Sequence, residues 1–167
     1  MRLRQLRERY GPLVADIPLP DPFSLAEFSR VLAARRGRAI HVRPLPAEVD
    51  AHWDAPCGLW LPTGRADHIW YSTIGGPFQA EHAVFHEFAH LLRRHVPRAL
   101  PADLVASLTP HLSAATRQLI TGGRARTEYS DPEEAEAEAM ATLWRQQIRR
   151  AHPVAASAAD RVEDRFG

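Results

Sequence analysis

Four of the nine histidines lie at residues 82–95, around a single internal glutamate, in the segment HAVFHEFAHLLRRH. His86 and His90 are four residues apart in it, and Glu87 follows the first of them directly. Positions four apart share one face of an α-helix, so the two imidazole rings can bind one tetrahedral zinc ion. Glu87 is then placed beside the open coordination position, where its carboxylate can accept a proton from a zinc-activated water. The H-E-x-x-H pattern therefore predicts metal-assisted hydrolysis, with His86 and His90 as ligands and Glu87 as general base.

An alternative interpretation of this segment is a core helix whose polar stripe faces solvent. Two features favour the metal site: apolar residues continue the helical period on both sides of the motif, and a predicted hairpin precedes it and can supply a sheet edge beside a cleft. His82 and His95, at either end of the segment, are predicted to be surface residues outside the site.

A catalytic zinc ion takes three protein ligands and keeps one position for water. A third histidine at the extended spacing of this motif is absent, because residue 93 is arginine and residue 96 is valine. A carboxylate from a second helix is the remaining source, and the start of a later predicted helix carries Glu133, Glu134, Glu136 and Glu138. The spacing leaves all four open as ligands, and such a run is also typical of a solvated first turn that the helix dipole favours.

Helical periodicity predicts the elements that carry these residues. The motif helix should run from about residue 78 to 95, and the acidic helix from Ser130 or Asp131, either of which can cap it, to about Arg150. Ser24 begins a capping box for a helix that should end near Gly37. A short basic helix is predicted at the amino terminus and should stop at Gly11-Pro12.

Alternating apolar residues predict the strands. One is expected at residues 39–43, and two more, at 57–61 and 68–72, flank a turn signal and predict a hairpin just before the motif helix. Residues 101–121 are predicted to form one or two short helical pieces. The pattern divides the chain into a basic helix and proline-rich connector (1–22), a main domain (23–150) and a tail (151–167).

Composition limits the classes of protein to which the chain can belong. A length of 167 residues with a formal net charge of +1 fits one domain and gives no reason to expect nucleic acid binding, because basic segments on a neutral protein are usually solvated faces. The single cysteine, Cys57, excludes a cysteine-based zinc cluster, favours a reducing compartment and is predicted to be a small core residue. A signal-peptide pattern and a long apolar run are both missing from the sequence, so a cytoplasmic location without membrane contact is expected.

Two segments together resemble the ImmA/IrrE metallopeptidase-like family. HEFAHLL is similar to its H-E-x-x-H helix, and EEAEAEAMATL is similar to its later helix of the form E-x-x-A-[ND]-x-F-A. The resemblance implies Glu134 as the third zinc ligand and Glu138, one turn later, as a carboxylate that orients a ligand histidine. The chain departs from the family at Glu138, where Asn or Asp is usual. It departs again after Leu143, where the family tends to end its helix in L-L-M-P.

The resemblance also implies a fold and a function. The fold is a mainly helical α+β domain of the zincin type, with a small antiparallel sheet of about three strands before the motif helix. The function is that of a zinc-dependent metallo-endopeptidase whose substrate is a helix-turn-helix transcription regulator, so that cleavage lifts repression. The alternative is a non-proteolytic regulatory or toxin-antitoxin-type binding module that retains the fold.

Overall fold

The computed structural model describes residues 3–51, 57–63, 66–95, 102–114, 117 and 129–151. These residues form an α+β fold in which helices predominate. The helices are α1 (Leu3–Ala15), α2 (Leu25–Arg36), α3 (Ala47–Asp50), α4 (Gly76–Arg93), α5 (Ala102–Leu108) and α6 (Asp131–Ala151). The strands are β1 (Ala39–Pro44), β2 (Gly58–Pro62) and β3 (Ala66–Tyr71), and a short 3-10 helix at Thr109–His111 follows α5.

The three strands form a mixed sheet in the order β1-β3-β2. The predicted hairpin is confirmed, since β2 and β3 pair antiparallel with Trp60 opposite Ile69. The expectation of a wholly antiparallel sheet is wrong, because β1 pairs with β3 in parallel, with Ala39 opposite Ala66. Strands β1 and β2 lie at opposite edges of the sheet, and the long connection from Pro44 to Gly58, which contains α3, joins one edge to the other. The hairpin then returns β3 to the middle, in the same direction as β1.

The main core lies where α4 packs against α6, between the sheet and α2. Four aromatic side chains that are fully buried meet there with ring centroids 5.5 to 6.4 Å apart: Phe28, Phe85, Phe88 and Trp144. Trp144 belongs to α6, and its complete burial against Phe28 and Phe85 shows that this part of α6 forms one wall of the core.

Local sequence signals account for the ends of α2. The Ser24 hydroxyl accepts a hydrogen bond from the backbone N–H of Glu27, as the capping box predicts. Gly37 ends the helix in the left-handed conformation at φ 72°, which glycine adopts without the clash that a Cβ atom causes. These two ends fix the length of the helix that carries Phe28 into the core.

Helix α1 extends further than the sequence predicts. The expected stop at Gly11-Pro12 is wrong, because the helix runs through Pro12 to Ala15. Proline inside a helix costs roughly 3 kcal/mol, and burial of Val14 in the core, with Tyr10 and Ile17 beside it, offsets that cost. The amino-terminal segment therefore packs on α6 as part of the same core.

Three further features bear on the predictions. Within the described ranges, none of the helices is long and apolar enough to cross a bilayer. The helical pieces predicted in 101–121 correspond to α5 and the 3-10 helix, and most of the remainder of that range lies outside the described residues. The predicted tail lies outside them as well, from residue 152 onward.

Candidate metal centre

The contact between α4 and α6 brings three potential ligands together. The Nε2 atoms of His86 and His90 lie 2.9 Å apart, and Glu134 Oε2 lies 3.1 Å from the first and 3.9 Å from the second. In a tetrahedral zinc site with bonds of about 2.0 to 2.1 Å, neighbouring ligand atoms are separated by about 3.3 Å. The three observed distances lie on either side of that value. The donor set, two imidazoles and one carboxylate, is also one that catalytic zinc uses.

The start of α6 determines which acidic side chain reaches the histidines. The Glu133 carboxylate accepts hydrogen bonds from the backbone N–H and hydroxyl of Ser130, which closes a cap on the helix. Glu136 contacts Arg93 and His95, and Glu138 contacts His82. Glu134 is the member of the run whose carboxylate lies against both His86 and His90, so the structure favours it among the four carboxylates that the spacing left open.

Electrostatics keep one of the two histidines neutral. Burial, followed by the neighbouring His86 and His95 rings, lowers the pKa of His90 to about 3. A neutral ring has a free lone pair, which a metal ligand requires. Burial also opposes a charge on His86, but the nearby carboxylates of Glu138, Glu87 and Glu134 outweigh it and raise the pKa of that ring. Metal binding at His86 therefore competes with a proton.

Glu138 lies on the side of His86 away from the other two ligands. Its Oε2 is 2.9 Å from His82 Nε2 and 3.7 Å from His86 Nδ1. The hydrogen bond to His82 and the nearby His86 ring lower the pKa of Glu138, so the group is a carboxylate at neutral pH. This position fits the role that the resemblance implies, in which a carboxylate next to Nδ1 directs Nε2 toward the metal.

Glu87 is buried between α4 and β2. The Glu87 side chain packs closely against Gly58. A Cβ atom added at residue 58 would lie 2.9 Å from Glu87 Oε1, 3.0 Å from Glu87 Cγ and 3.2 Å from the carbonyl oxygen of Ala83. Any larger residue at position 58 would require the Glu87 carboxylate to move. A glycine inside a strand often marks such a close approach, and Gly58 in the predicted strand at residues 57–61 is a signal of this kind.

Replacing Gly58 with alanine should therefore displace the Glu87 carboxylate while leaving the three ligands in place. We expect zinc binding within twofold of wild type and any Glu87-dependent hydrolysis to fall about 10- to 100-fold, because small displacements of a reacting group are costly. Metal titration and turnover measured on the same preparation test this. Gly11→Ala is the matched control, since a Cβ atom there meets no atom within 4 Å. Equal activity in Gly58→Ala and wild type would contradict the assigned position of Glu87.

A cavity of about 700 Å³ opens over this site. It lies between β2, α4 and α6, and is lined by His86, Glu87 and Glu134 together with Gly58 and Trp60. His90 lies behind this lining and is fully buried. Volumes of about 300 to 1,000 Å³ are typical of ligand sites.

The strand at the cavity wall, β2, lies at one edge of the sheet. The backbone carbonyl of Cys57 accepts a hydrogen bond from the N–H of Ser72, and the N–H of Thr63 donates one to the carbonyl of Ala66. These two residues flank β2, so the odd-numbered residues between them are the ones that hydrogen-bond to β3. Bonding direction alternates along an antiparallel strand, and Gly58 and Trp60 therefore direct their N–H and C=O groups to the outer edge of the sheet.

The predictions for residues around the site had mixed outcomes. His95 is buried at 7% exposure and its ring contacts His90, so the expectation of a surface residue is wrong. Cys57 is exposed and lines the cavity, which contradicts its prediction as a core residue. Tyr129, outside the motifs, stacks on the His90 ring with centroids 3.7 Å apart. The sequence carried no signal that places Tyr129 there, because only the fold brings it to α4.

Comparison of the chain with protein-family models, with curated proteins and with solved structures gives no match. The geometry of the site and the two motifs are therefore the basis for inferring a function.

Proposed function

We propose that the protein is a zinc-dependent metallo-endopeptidase. The observation that carries this proposal is the triangle of His86, His90 and Glu134, which has the donor types and distances of a tetrahedral zinc site and lies beside a buried glutamate. The open side of the triangle faces a cavity large enough for a peptide segment. Three protein ligands with one open position are typical of catalytic zinc, whereas structural zinc sites have four protein ligands.

In this mechanism the side chains of the chain have separate tasks. A bound zinc ion would supply Lewis-acid polarisation of the scissile carbonyl and a lower pKa for the attacking water. Glu87 accepts a proton from that water and passes it to the nitrogen of the leaving amine, as a general base and then a general acid. Glu138 holds the His86 ring, and Gly58 leaves the space in which the Glu87 carboxylate lies.

The substrate in this proposal is an extended polypeptide. The outward backbone groups of Gly58 and Trp60 can pair with such a chain as an added strand, which binds main chain irrespective of its sequence. This arrangement carries the peptide along β2, past Glu87 and the three ligands. The cavity wall beyond them is formed by side chains of α4 and α6: Phe78, His82, Thr142, Arg145, Gln146 and Arg149.

A helix-turn-helix transcription regulator is our proposed natural substrate class. The support for this is the resemblance of HEFAHLL and EEAEAEAMATL to the ImmA/IrrE metallopeptidase-like family. Proteolysis of a regulator fits a cytoplasmic location, which the single cysteine also favours. Such a substrate would present an extended segment between folded parts to the edge of β2.

The test is chelator-sensitive cleavage. Zinc-loaded protein is incubated with a proteome-derived peptide library and with the product of a neighbouring helix-turn-helix gene, and new amino termini are identified by mass spectrometry. We expect cleavage that a chelator stops and added zinc restores. Bound zinc without cleavage of either substrate would overturn the proposal and favour a non-proteolytic binding module.

A further inference from the structure

His95 lies outside the H-E-x-x-H motif but contacts the ligand His90 on the side away from the metal triangle. The Nδ1 atoms of the two rings are 2.8 Å apart. The other nitrogen of His95, Nε2, lies 3.1 Å from Glu136 Oε2, and Arg93 donates to the second oxygen of that carboxylate at 2.8 Å. A continuous chain of contacts therefore connects Arg93 and Glu136 through His95 to His90.

The position of His95 depends on where α4 ends, which is at Arg93. In a continued helix, His95 would lie about 140° around the axis from His90. Arg94 instead adopts the left-handed conformation at φ 56° and ψ 37°, and the backbone N–H of His95 donates to the His90 carbonyl at 3.0 Å. A left-handed residue other than glycine is uncommon and costs roughly 1 to 2 kcal/mol. The turn that places His95 against His90 thus uses a conformation that local preference disfavours.

The contacts fit a placement of protons that leaves His90 ready to bind a metal. Glu136 is held as a hydrogen-bond acceptor by Arg93, so Nε2 of His95 carries the hydrogen and donates it to Glu136. In the tautomer with its hydrogen on Nε2, His95 accepts at Nδ1 a hydrogen bond from Nδ1–H of His90. This leaves the lone pair of His90 on Nε2, the atom that faces His86 and Glu134.

We propose that His95 and Glu136 are positioning residues that hold His90 in the tautomer and orientation required for metal binding. The role rests on the proposed function, because it presupposes that His90 is a ligand. Partners of this kind fix ring orientation and raise the basicity of the ligand atom, and their loss typically costs 10- to 100-fold in metal affinity. Tyr129, stacked on His90 at an interplanar angle of 15°, restrains the plane of the same ring.

The test is zinc affinity, measured by competition with a chromophoric chelator. His95→Leu removes the acceptor for His90 Nδ1–H, and we expect zinc affinity to fall about 10- to 100-fold. His95→Asn should lose less, because its side-chain oxygen can take the place of Nδ1 as the acceptor. His111→Leu is the control, since His111 is an exposed histidine that pairs with Glu48. The zinc affinity of this variant should equal that of wild type.

A second pair of variants tests the same role at Glu136. Glu136 is partly buried on α6, with 17% of its side chain exposed, and lies outside the hydrophobic core, so Glu136→Ala and Glu136→Gln should both fold. Glu136→Ala should weaken zinc binding several-fold, and Glu136→Gln should recover most of it through its carbonyl acceptor. In zinc-loaded wild type, long-range ¹⁵N–¹H spectra should show His90 with a hydrogen on Nδ1.

The possible results separate this role from the proposed function. Zinc binding by wild type that is unchanged in His95→Leu and Glu136→Ala overturns the positioning role and leaves the metal centre intact. A hydrogen on Nε2 of His90 in the zinc-loaded protein also overturns it. Wild type that binds no zinc overturns the proposed function and the positioning role with it.

Discussion

Glu87→Gln should retain zinc and lose hydrolytic activity. The amide has nearly the same shape as the carboxylate, so it fits the space beside Gly58, but it cannot accept a proton from water at neutral pH. General base catalysis of this kind contributes about 100- to 10,000-fold, and we expect turnover to fall by that factor. The measurements are zinc content by mass spectrometry and the rate of cleavage of a peptide identified in the library experiment.

The control for this variant is the same substitution at a glutamate far from the site. Glu8 is exposed on α1, where it pairs with Arg4, and Glu8→Gln should match wild type in both measurements. Full activity in Glu87→Gln would remove Glu87 from the mechanism. Loss of zinc together with activity would mean that Glu87 acts at the metal centre in another way.

Alanine at any one of the three proposed ligands should remove most of the bound zinc. Loss of a group that only supports a ligand already costs about 10- to 100-fold in affinity, so loss of a ligand itself should exceed about 100-fold. His86→Ala, His90→Ala and Glu134→Ala are expected to behave alike in this respect. Zinc titration of the purified, refolded and metal-free proteins measures the effect.

Two comparisons make the ligand experiment specific. His111→Ala removes an exposed histidine and should leave zinc affinity unchanged. Glu138→Ala should weaken binding by no more than about 100-fold, because Glu138 touches His86 without completing the triangle. If zinc affinity is kept in Glu134→Ala but lost in Glu138→Ala, the third ligand is Glu138 and not Glu134.

Local patterns predicted the parts of the site that lie close together in sequence. The four-residue spacing of His86 and His90 places both rings on one face of α4, and helical geometry alone is enough for that. The capping box at Ser24 and the antiparallel pairing of β2 with β3 are equally local, and the structure confirms both.

Features that depend on distant contacts could not be read in this way. The choice of Glu134 over its acidic neighbours depends on how α6 lies against α4. The parallel pairing of β1 depends on a long connection whose path the pattern does not encode. The position of His95 depends on the left-handed conformation of Arg94, a residue type that rarely adopts it.

X-ray absorption at the zinc edge, on purified wild-type protein, tests the central claim of a zinc centre built from α4 and α6 most directly. The structure predicts one zinc ion per chain, with only nitrogen and oxygen neighbours at about 2.0 to 2.1 Å and the scattering pattern of two imidazole rings. Cys57 lines the same cavity, which makes the absence of sulfur a meaningful result. Protein without zinc, or zinc with a sulfur neighbour at about 2.3 Å, would contradict the account.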